Sequence, residues 1–190
     1  MDKISLFAHN IIISNLENNL LKEKIIQEVN NAEQNDQGRK ISNQGGFQTK
    51  DLNDDIIGNA ILSTSVELLQ KNFIFKGKTK ISLDNFWINK NYSGNFNEPH
   101  VHPFTNFSGI YYLQVSKKGG HLVFLNNDVS TDMTGNFNFI QDPSFDIHFK
   151  IQPKENMFIL FPSHMRHMVE PHYEDRGRIS LAFNIKFDHG

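Results

Sequence analysis

The segment Arg178-Ile179-Ser180-Leu181-Ala182-Phe183-Asn184-Ile185 alternates between apolar side chains and smaller or more polar ones. Successive side chains of a β-strand point to opposite faces. One face would be wholly apolar and suited to packing against helices: Ile179, Leu181, Phe183 and Ile185. The other face would point into a barrel: Arg178, Ser180, Ala182 and Asn184. The segment therefore predicts a strand that separates a helix-covered surface from a polar barrel interior.

The chain after Gly77 shows the same kind of pattern throughout. Short alternating or apolar runs are separated by Gly, Pro, Asn and Asp, at residues 79–91, 98–104, 107–116, 120–126, 145–152, 157–161, 166–170 and 177–187. About eight short strands at this spacing predict a mainly β fold, a sandwich or barrel of the jelly-roll kind.

Helical patterns dominate the part before Gly77. A first strand is predicted over residues 4–14 and then a helix from about Leu16 to Glu33, with Asn15 as its cap. Residues 35–50, rich in Gly, Asn and Gln, predict a loop, and Leu52 to Phe73 predict a second helix. We expect both helices to cover the outer face of one sheet.

Composition excludes several classes of protein. The 190 residues suit one domain over 1–190, with a helical cover at about 15–73 and a jelly-roll core at about 79–187. The net charge of −2 indicates neither nucleic acid nor a membrane surface as a partner. With no cysteine, a metal site must use nitrogen and oxygen ligands. No run approaches a signal peptide or a membrane span, so we predict a cytoplasmic protein.

Three histidines suggest a metal site. His100 and His102 stand two residues apart in Asn97-Glu98-Pro99-His100-Val101-His102-Pro103, so on a strand they would share a face. His167, which opens a later strand, would supply a third imidazole, and His164 in the preceding turn is its competitor. Glu98 is a possible fourth ligand, but we expect a solvated carboxylate. The alternative for each histidine is an ordinary structural or surface role.

The remaining histidines have no partner at ligand spacing and are interpreted as structural or surface residues: His9, His121, His148, His172 and His189.

Arg178 and Ser180 would place a guanidinium and a hydroxyl on one strand face, which suits a carboxylate of a cosubstrate. Arg176, in the preceding turn, is a weaker candidate. Tyr112 lies four residues after Ser108, so on a strand both would point to the same, inward face, and Tyr111 would point outward. The alternative for Arg178 is a salt bridge to a nearby carboxylate: Glu170, Glu174 or Asp175. For the tyrosines and Trp87, a place in the aromatic core is the default interpretation.

Six motifs in order resemble a group of bacterial and marine-phage 2-oxoglutarate–Fe(II) oxygenases. They are Trp87-Ile88-Asn89, His100-Val101-His102-Pro103, Ser108-Gly109-Ile110-Tyr111-Tyr112-Leu113, Phe161-Pro162 with His167, Arg178-Ile179-Ser180 and Phe183-Asn184. The upstream loop Ile41-Ser42-Asn43-Gln44-Gly45-Gly46-Phe47-Gln48-Thr49 is also similar, so the resemblance spans about residues 40–187.

The resemblance implies a double-stranded β-helix core and an oxidation that releases succinate and CO₂. It implies Fe(II) at His100, His102 and His167, and 2-oxoglutarate with its far carboxylate at Arg178, Ser180 and Tyr112. If the chain is phage-encoded, its compartment would be the host cytoplasm.

One departure from the wider superfamily leaves two alternatives. The usual ligand set is two histidines and one carboxylate. Here His102 takes the place of the carboxylate, which leaves the centre one charge more positive and could favour zinc. A cupin-like three-histidine enzyme without 2-oxoglutarate is the first alternative, since Gly94 precedes His100 at the cupin spacing. A non-catalytic jelly-roll binding protein is the second. Neither would need Arg178 and Ser180 as an anchor.

Overall fold

A computed structural model describes residues 8–116, 118–126 and 133–190. In chain order the elements are β1 (Ile12–Asn15), α1 (Asn19–Asn35), β2 (Asn43–Gln44), β3 (Phe47–Gln48), α2 (Asp55–Asn72), β4 (Thr79–Asn91), β5 (Phe96–His100), β6 (Phe107–Gln114), β7 (Leu122–Leu125), β8 (His148–Ile151), β9 (Met157–Pro162), β10 (His167–Val169) and β11 (Arg178–His189). Short 3₁₀ turns at Asn136–Asn138 and Pro143–Phe145 lie between β7 and β8.

The strands form two antiparallel sheets. The larger sheet has the order β1-β9-β6-β11-β4-β3, and the smaller has the order β2-β5-β10-β7-β8. Strands distant in sequence are therefore neighbours, as in the interleaved connections of a jelly roll. The predicted fold class, a mainly β jelly-roll core with N-terminal helices, is confirmed.

Both helices pack on the outer face of the larger sheet, as predicted. Ile25 of α1 and Ile61 of α2 are fully buried in the same cluster as Leu181 and Phe183 of β11. Gly109 of β6 lies against this cluster, because a Cβ there would be only 2.1 Å from the Phe183 ring. The alternation of β11 thus builds the apolar wall that the sequence predicted.

The predicted helix starts were wrong by a few residues. Asn15 is still in β1, paired with Met157 of β9, and Asn18 caps α1 by accepting from the Leu21 amide. Because pairing with β9 keeps the chain extended through Asn15, α1 begins only at Asn19. Asp54 likewise caps α2. Residues 4–7 of the predicted first strand lie outside the described part of the chain.

A second apolar cluster lies between the two sheets. It includes Ile110, Leu122, Phe124, Ile159 and Phe161. Its side chains fill one part of the barrel, and the site described below occupies the polar remainder. Neither helix within the described ranges has the length and apolarity that a membrane crossing requires.

Candidate metal and cosubstrate site

Three histidines from two strands and a turn converge inside the barrel. His100 ends β5 and His167 begins β10, and the two are direct register partners in the smaller sheet. His102 lies beyond the end of β5, where its amide donates to the Ser163 carbonyl. The expectation that His100 and His102 share one strand was therefore wrong, because β5 stops between them. A turn tied to the loop before β10 still brings the second imidazole to the first.

The imidazoles are close enough to share one ion. Their ring centroids lie 4.3 Å apart for His100 and His167, 5.1 Å for His102 and His167, and 5.2 Å for His100 and His102. One nitrogen from each ring lies within 4.8 Å of the other two, so a single point lies within about 2.8 Å of all three, against metal–nitrogen bonds of about 2.0–2.1 Å. A small adjustment of the rings would complete a site.

Hydrogen bonding shows which ring nitrogens are available. Nδ1 of His100 lies 2.7 Å from the Glu98 carbonyl oxygen, and Nδ1 of His167 lies 2.9 Å from that of Met165. Nδ1 of His102 lies 2.7 Å from the side-chain oxygen of Asn184. Carbonyl oxygens only accept, so each Nδ1 carries a hydrogen and each neutral ring keeps its lone pair on Nε2.

Burial keeps the three rings neutral. It lowers the pKa of His100 below the usual histidine value, and it lowers the pKa of His102 to about 4 although the Asn184 hydrogen bond opposes the change. Burial also holds the pKa of His167 well below its usual value. Metal binding requires the neutral imidazole, so the rings are in the ligating form at neutral pH.

The competing ligands are elsewhere. His164 is exposed and its Nε2 lies 3.3 Å from Nδ1 of His9. It is therefore not part of the triad formed by His100, His102 and His167. Glu98 is exposed and accepts from Gln44 Nε2 at 2.9 Å. His121 pairs with Glu170 at 2.7 Å. Of the candidate ligands, the structure thus brings together the three histidines that the sequence favoured.

Arg178 is a buried cation with spare hydrogen-bonding capacity. Only 1% of the residue is exposed, and its Nη1 donates to the Gly120 carbonyl at 3.2 Å. Its Nη2 has no hydrogen-bond partner among the residues that the structure describes. The buried hydroxyl of Tyr112 is also without a partner. Tyr112 pairs in register with Ser180, so the guanidinium, the phenol and the Ser180 hydroxyl belong to one inner wall. Burial raises the pKa of Tyr112 to about 12, so the phenol keeps its proton and can donate.

The alternative salt bridges to Arg178 are not formed in the described part of the chain. Glu170 pairs with His121 and Lys150, and Glu174 accepts from the Lys118 amide. Arg176, the rival arginine, is exposed and pairs with Glu155 at 2.7 Å. The buried guanidinium is therefore left facing the cavity.

One cavity of about 300 Å³ joins the histidines to Arg178. Its wall includes Trp87, which the sequence suggested as a core residue. The indole stacks on the His102 ring with centroids 5.6 Å apart, and the guanidinium of Arg39 lies 5.3 Å from the indole centroid. Arg39 comes from the loop over residues 35–50, so that loop forms part of the cavity wall.

Sequence reasoning assigned no role to Arg39 or Asn184. No local pattern marks Arg39, because its position depends on β3 pairing with β4. Asn184 was visible as the inward member of the alternating β11 segment, but only the fold shows that it meets His102.

Comparison with known proteins agrees with this geometry. Residues 85–184, more than half of the chain, match the model of a family described as "Putative 2OG-Fe(II) oxygenase". The chain belongs to this family. The matched residues include the three histidines, Tyr112, Arg178 and Ser180. No curated protein matches by sequence.

Solved structures of low sequence identity share the fold of this family member. The α-ketoglutarate-dependent epimerase SnoN of nogalamycin biosynthesis superposes with a TM-score of 0.66 at 12% identity, covering 94% of this chain and 78% of that one. A prolyl-4-hydroxylase from Pseudomonas putida gives 0.60 at 14% identity, covering 93% and 92%. HygX from Streptomyces hygroscopicus, with nickel and 2-oxoglutarate bound, gives 0.60 at 10% identity, covering 94% and 82%.

Proposed function

We propose that this family member oxidises its substrate with Fe(II), O₂ and 2-oxoglutarate, and that the three histidines hold the metal. The observation that carries the proposal is the unpartnered Nη2 of Arg178 beside the unpartnered Tyr112 hydroxyl in the same cavity as the triad. A buried cation and a buried phenol without partners are costly, and an anion between them satisfies both.

The residues of the triad fit a divalent transition metal. Three neutral imidazoles offer three nitrogen lone pairs and leave further coordination positions free. With the metal and 2-oxoglutarate bound, the site supplies oxidation of a substrate C–H bond by O₂, with 2-oxoglutarate converted to succinate and CO₂. Aromatic rings cover part of the imidazoles, since Trp87 stacks on His102 and Phe161 lies edge-on to His167.

Arg178, Ser180 and Tyr112 are the proposed cosubstrate anchor. The guanidinium presents a planar fork that matches a carboxylate, and a hydroxyl on each of two neighbouring strands adds a donor. Two neutral donors and one cation suit the far carboxylate of 2-oxoglutarate. They would orient its other end towards the metal.

The test is succinate formation by the protein loaded anaerobically with one equivalent of Fe(II) and then exposed to O₂ and 2-oxoglutarate. We expect slow succinate release even without a prime substrate, dependent on both Fe(II) and O₂. Arg178→Ala should abolish saturable 2-oxoglutarate binding while metal content stays the same, and Arg176→Ala serves as the matched control.

Two results would contradict the proposal. No succinate from the loaded protein, together with preferential retention of zinc over iron, would support the cupin-like or structural alternative. Equal 2-oxoglutarate binding by both arginine variants would remove the anchor assignment while leaving the metal site in place.

A further inference from the structure

His102 differs from the other two histidines in how its ring is held. His100 and His167 donate from Nδ1 to the backbone carbonyls of Glu98 and Met165. These acceptors do not depend on which side chains stand at positions 98 and 165. His102 donates to a side chain, the Oδ1 of Asn184 on β11, at 2.7 Å. The orientation of this one ring therefore depends on a side chain 82 residues away.

The orientation of the Asn184 amide is fixed by its other partners. Its Nδ2 donates to Oδ1 of Asn85 at 2.8 Å, and its Oδ1 also accepts from the Ser108 hydroxyl at 2.8 Å. A reversed amide would turn NH₂ towards Ser108 and His102 and oxygen towards the oxygen of Asn85. The amide oxygen is thus directed at the imidazole by contacts on both of its ends.

A line of hydroxyls supports this arrangement. A hydroxyl has one proton, and that of Ser108 is given to Asn184, so Ser163 must donate to Ser108 across their 2.9 Å contact. Thr105 in turn donates to Ser163 at 2.7 Å. Every bond from Thr105 to Asn184 then has a single direction, and the line ends at an oxygen that can only accept.

The three central members of the network are buried. Asn184 is 6% exposed, Ser108 1% and Ser163 0%. Water therefore cannot readily replace a lost partner, and reversing any member would leave buried polar groups unsatisfied.

We propose that Asn184 is a positioning residue that locks His102 in the Nδ1–H form and so presents Nε2 to the metal; this rests on the proposed metal site. Asn184 supplies an acceptor without adding a negative charge. It therefore selects the ligating tautomer of the one histidine that stands where the wider superfamily has a carboxylate.

The test compares Asn184→Leu with Ser108→Ala in the full-length protein. Ser108→Ala is the matched control, since it removes a buried hydrogen bond to the same oxygen but leaves the acceptor of His102. Nitrogen-15 NMR of the metal-free proteins reports the tautomer of each imidazole, and competition with a chelator gives the Zn(II) and Fe(II) affinities.

We expect Asn184→Leu to lose the Nδ1–H form at His102 alone and to bind metal about 10–100-fold more weakly. Ser108→Ala should keep the wild-type tautomer and an affinity within a few-fold, and Asn184→Asp, which retains an acceptor, should keep the tautomer. An unchanged His102 tautomer in Asn184→Leu, or equal loss of affinity in the leucine and alanine variants, would overturn the proposal.

A second variant covers the case in which Asn184→Leu does not fold. Asn85→Leu removes the acceptor that holds the amide in place, so we expect His102 to show both tautomers and weaker metal binding. A single Nδ1–H form there would count against the proposal. Failure of the proposed function would look different: the wild-type protein would show the expected tautomers but bind no metal at the triad.

Discussion

Replacing Arg178 by methionine should make the metal-free protein more stable and at the same time unable to bind 2-oxoglutarate. The guanidinium is 1% exposed and has one hydrogen bond, at 3.2 Å to Gly120, and no carboxylate partner in the described residues. A buried charge left uncompensated costs about 3–5 kcal/mol, and replacing a buried ion pair with apolar residues is neutral or stabilising by about 1–4 kcal/mol; we expect a similar gain for this unpaired guanidinium. Methionine keeps most of the packing volume and removes the charge.

The size of the effect can be measured by thermal unfolding. For a chain of this length, each kcal/mol shifts Tm by about 2–4 °C, so a stabilisation of about 1–4 kcal/mol should raise the Tm of the metal-free Arg178→Met protein by about 2–16 °C. With the redox-inert Zn(II) bound, 2-oxoglutarate at 100 times its Kd should stabilise wild type by about 2.7 kcal/mol and the variant not at all.

A matched control shows whether the effect comes from the burial of Arg178 or from the loss of any arginine in this segment. Arg176→Met removes an exposed arginine paired with Glu155 and should change neither Tm nor the response to 2-oxoglutarate by much. A Tm for Arg178→Met several degrees below wild type, with the 2-oxoglutarate shift retained, would refute the claim that this guanidinium is an unsatisfied anion anchor.

Four further predictions concern the cavity and the metal. His167→Ala should lose the metal by elemental analysis, whereas His164→Ala should leave binding largely intact; a large loss in the latter would mean that the wrong distal histidine was chosen. His102→Asp should still bind Fe(II) and should alter the rate of succinate release, so a metal-free variant would contradict the ligand assignment. Gly120→Ala should destabilise the fold by about 1–3 kcal/mol or more in urea unfolding and weaken 2-oxoglutarate binding, because its Cβ would lie 1.8 Å from the Glu170 carbonyl oxygen. Finally, burial lowers the pKa of His102 to about 4, against about 6.5 in an unfolded chain. The unfolded state therefore takes up a proton at this position first as the pH falls. The metal-free protein should lose up to about 1.4 kcal/mol of stability per pH unit from His102 between pH 6.5 and 4, as urea unfolding at several pH values would show.

The parts of the fold that depend on strand alternation were predictable from the sequence. Ile179 and Leu181 face the helices and Arg178 and Ser180 face the cavity, as period two requires. Tyr112 points inward for the same reason. The face to which each side chain of a strand points depends only on its position along that strand, so it can be predicted from one sequence.

Features set by pairing between distant segments were not predictable. The end of β5 at His100 depends on where the smaller sheet closes, and the start of α1 depends on β1 pairing with β9. The contacts of Asn184 with His102 and of Arg39 with Trp87 join residues far apart in the chain. His102 and Trp87 stood out in the sequence, but no pattern at Asn184 or Arg39 showed which residue each would contact.

The position of β11 has a consequence for the protein during its synthesis. This strand lies between β6 and β4, and among the described strands it alone joins β1-β9-β6 to β4-β3 in the larger sheet. A nascent chain that has not yet released residues 178–189 has no strand to join these two parts of the larger sheet. The triad histidines are already made at that stage, whereas Arg178 and Asn184 are not. Since a domain generally folds as a unit, we expect the larger sheet to close only once β11 is available. We therefore expect closure of the larger sheet and completion of the proposed anchor site to occur in the same folding step.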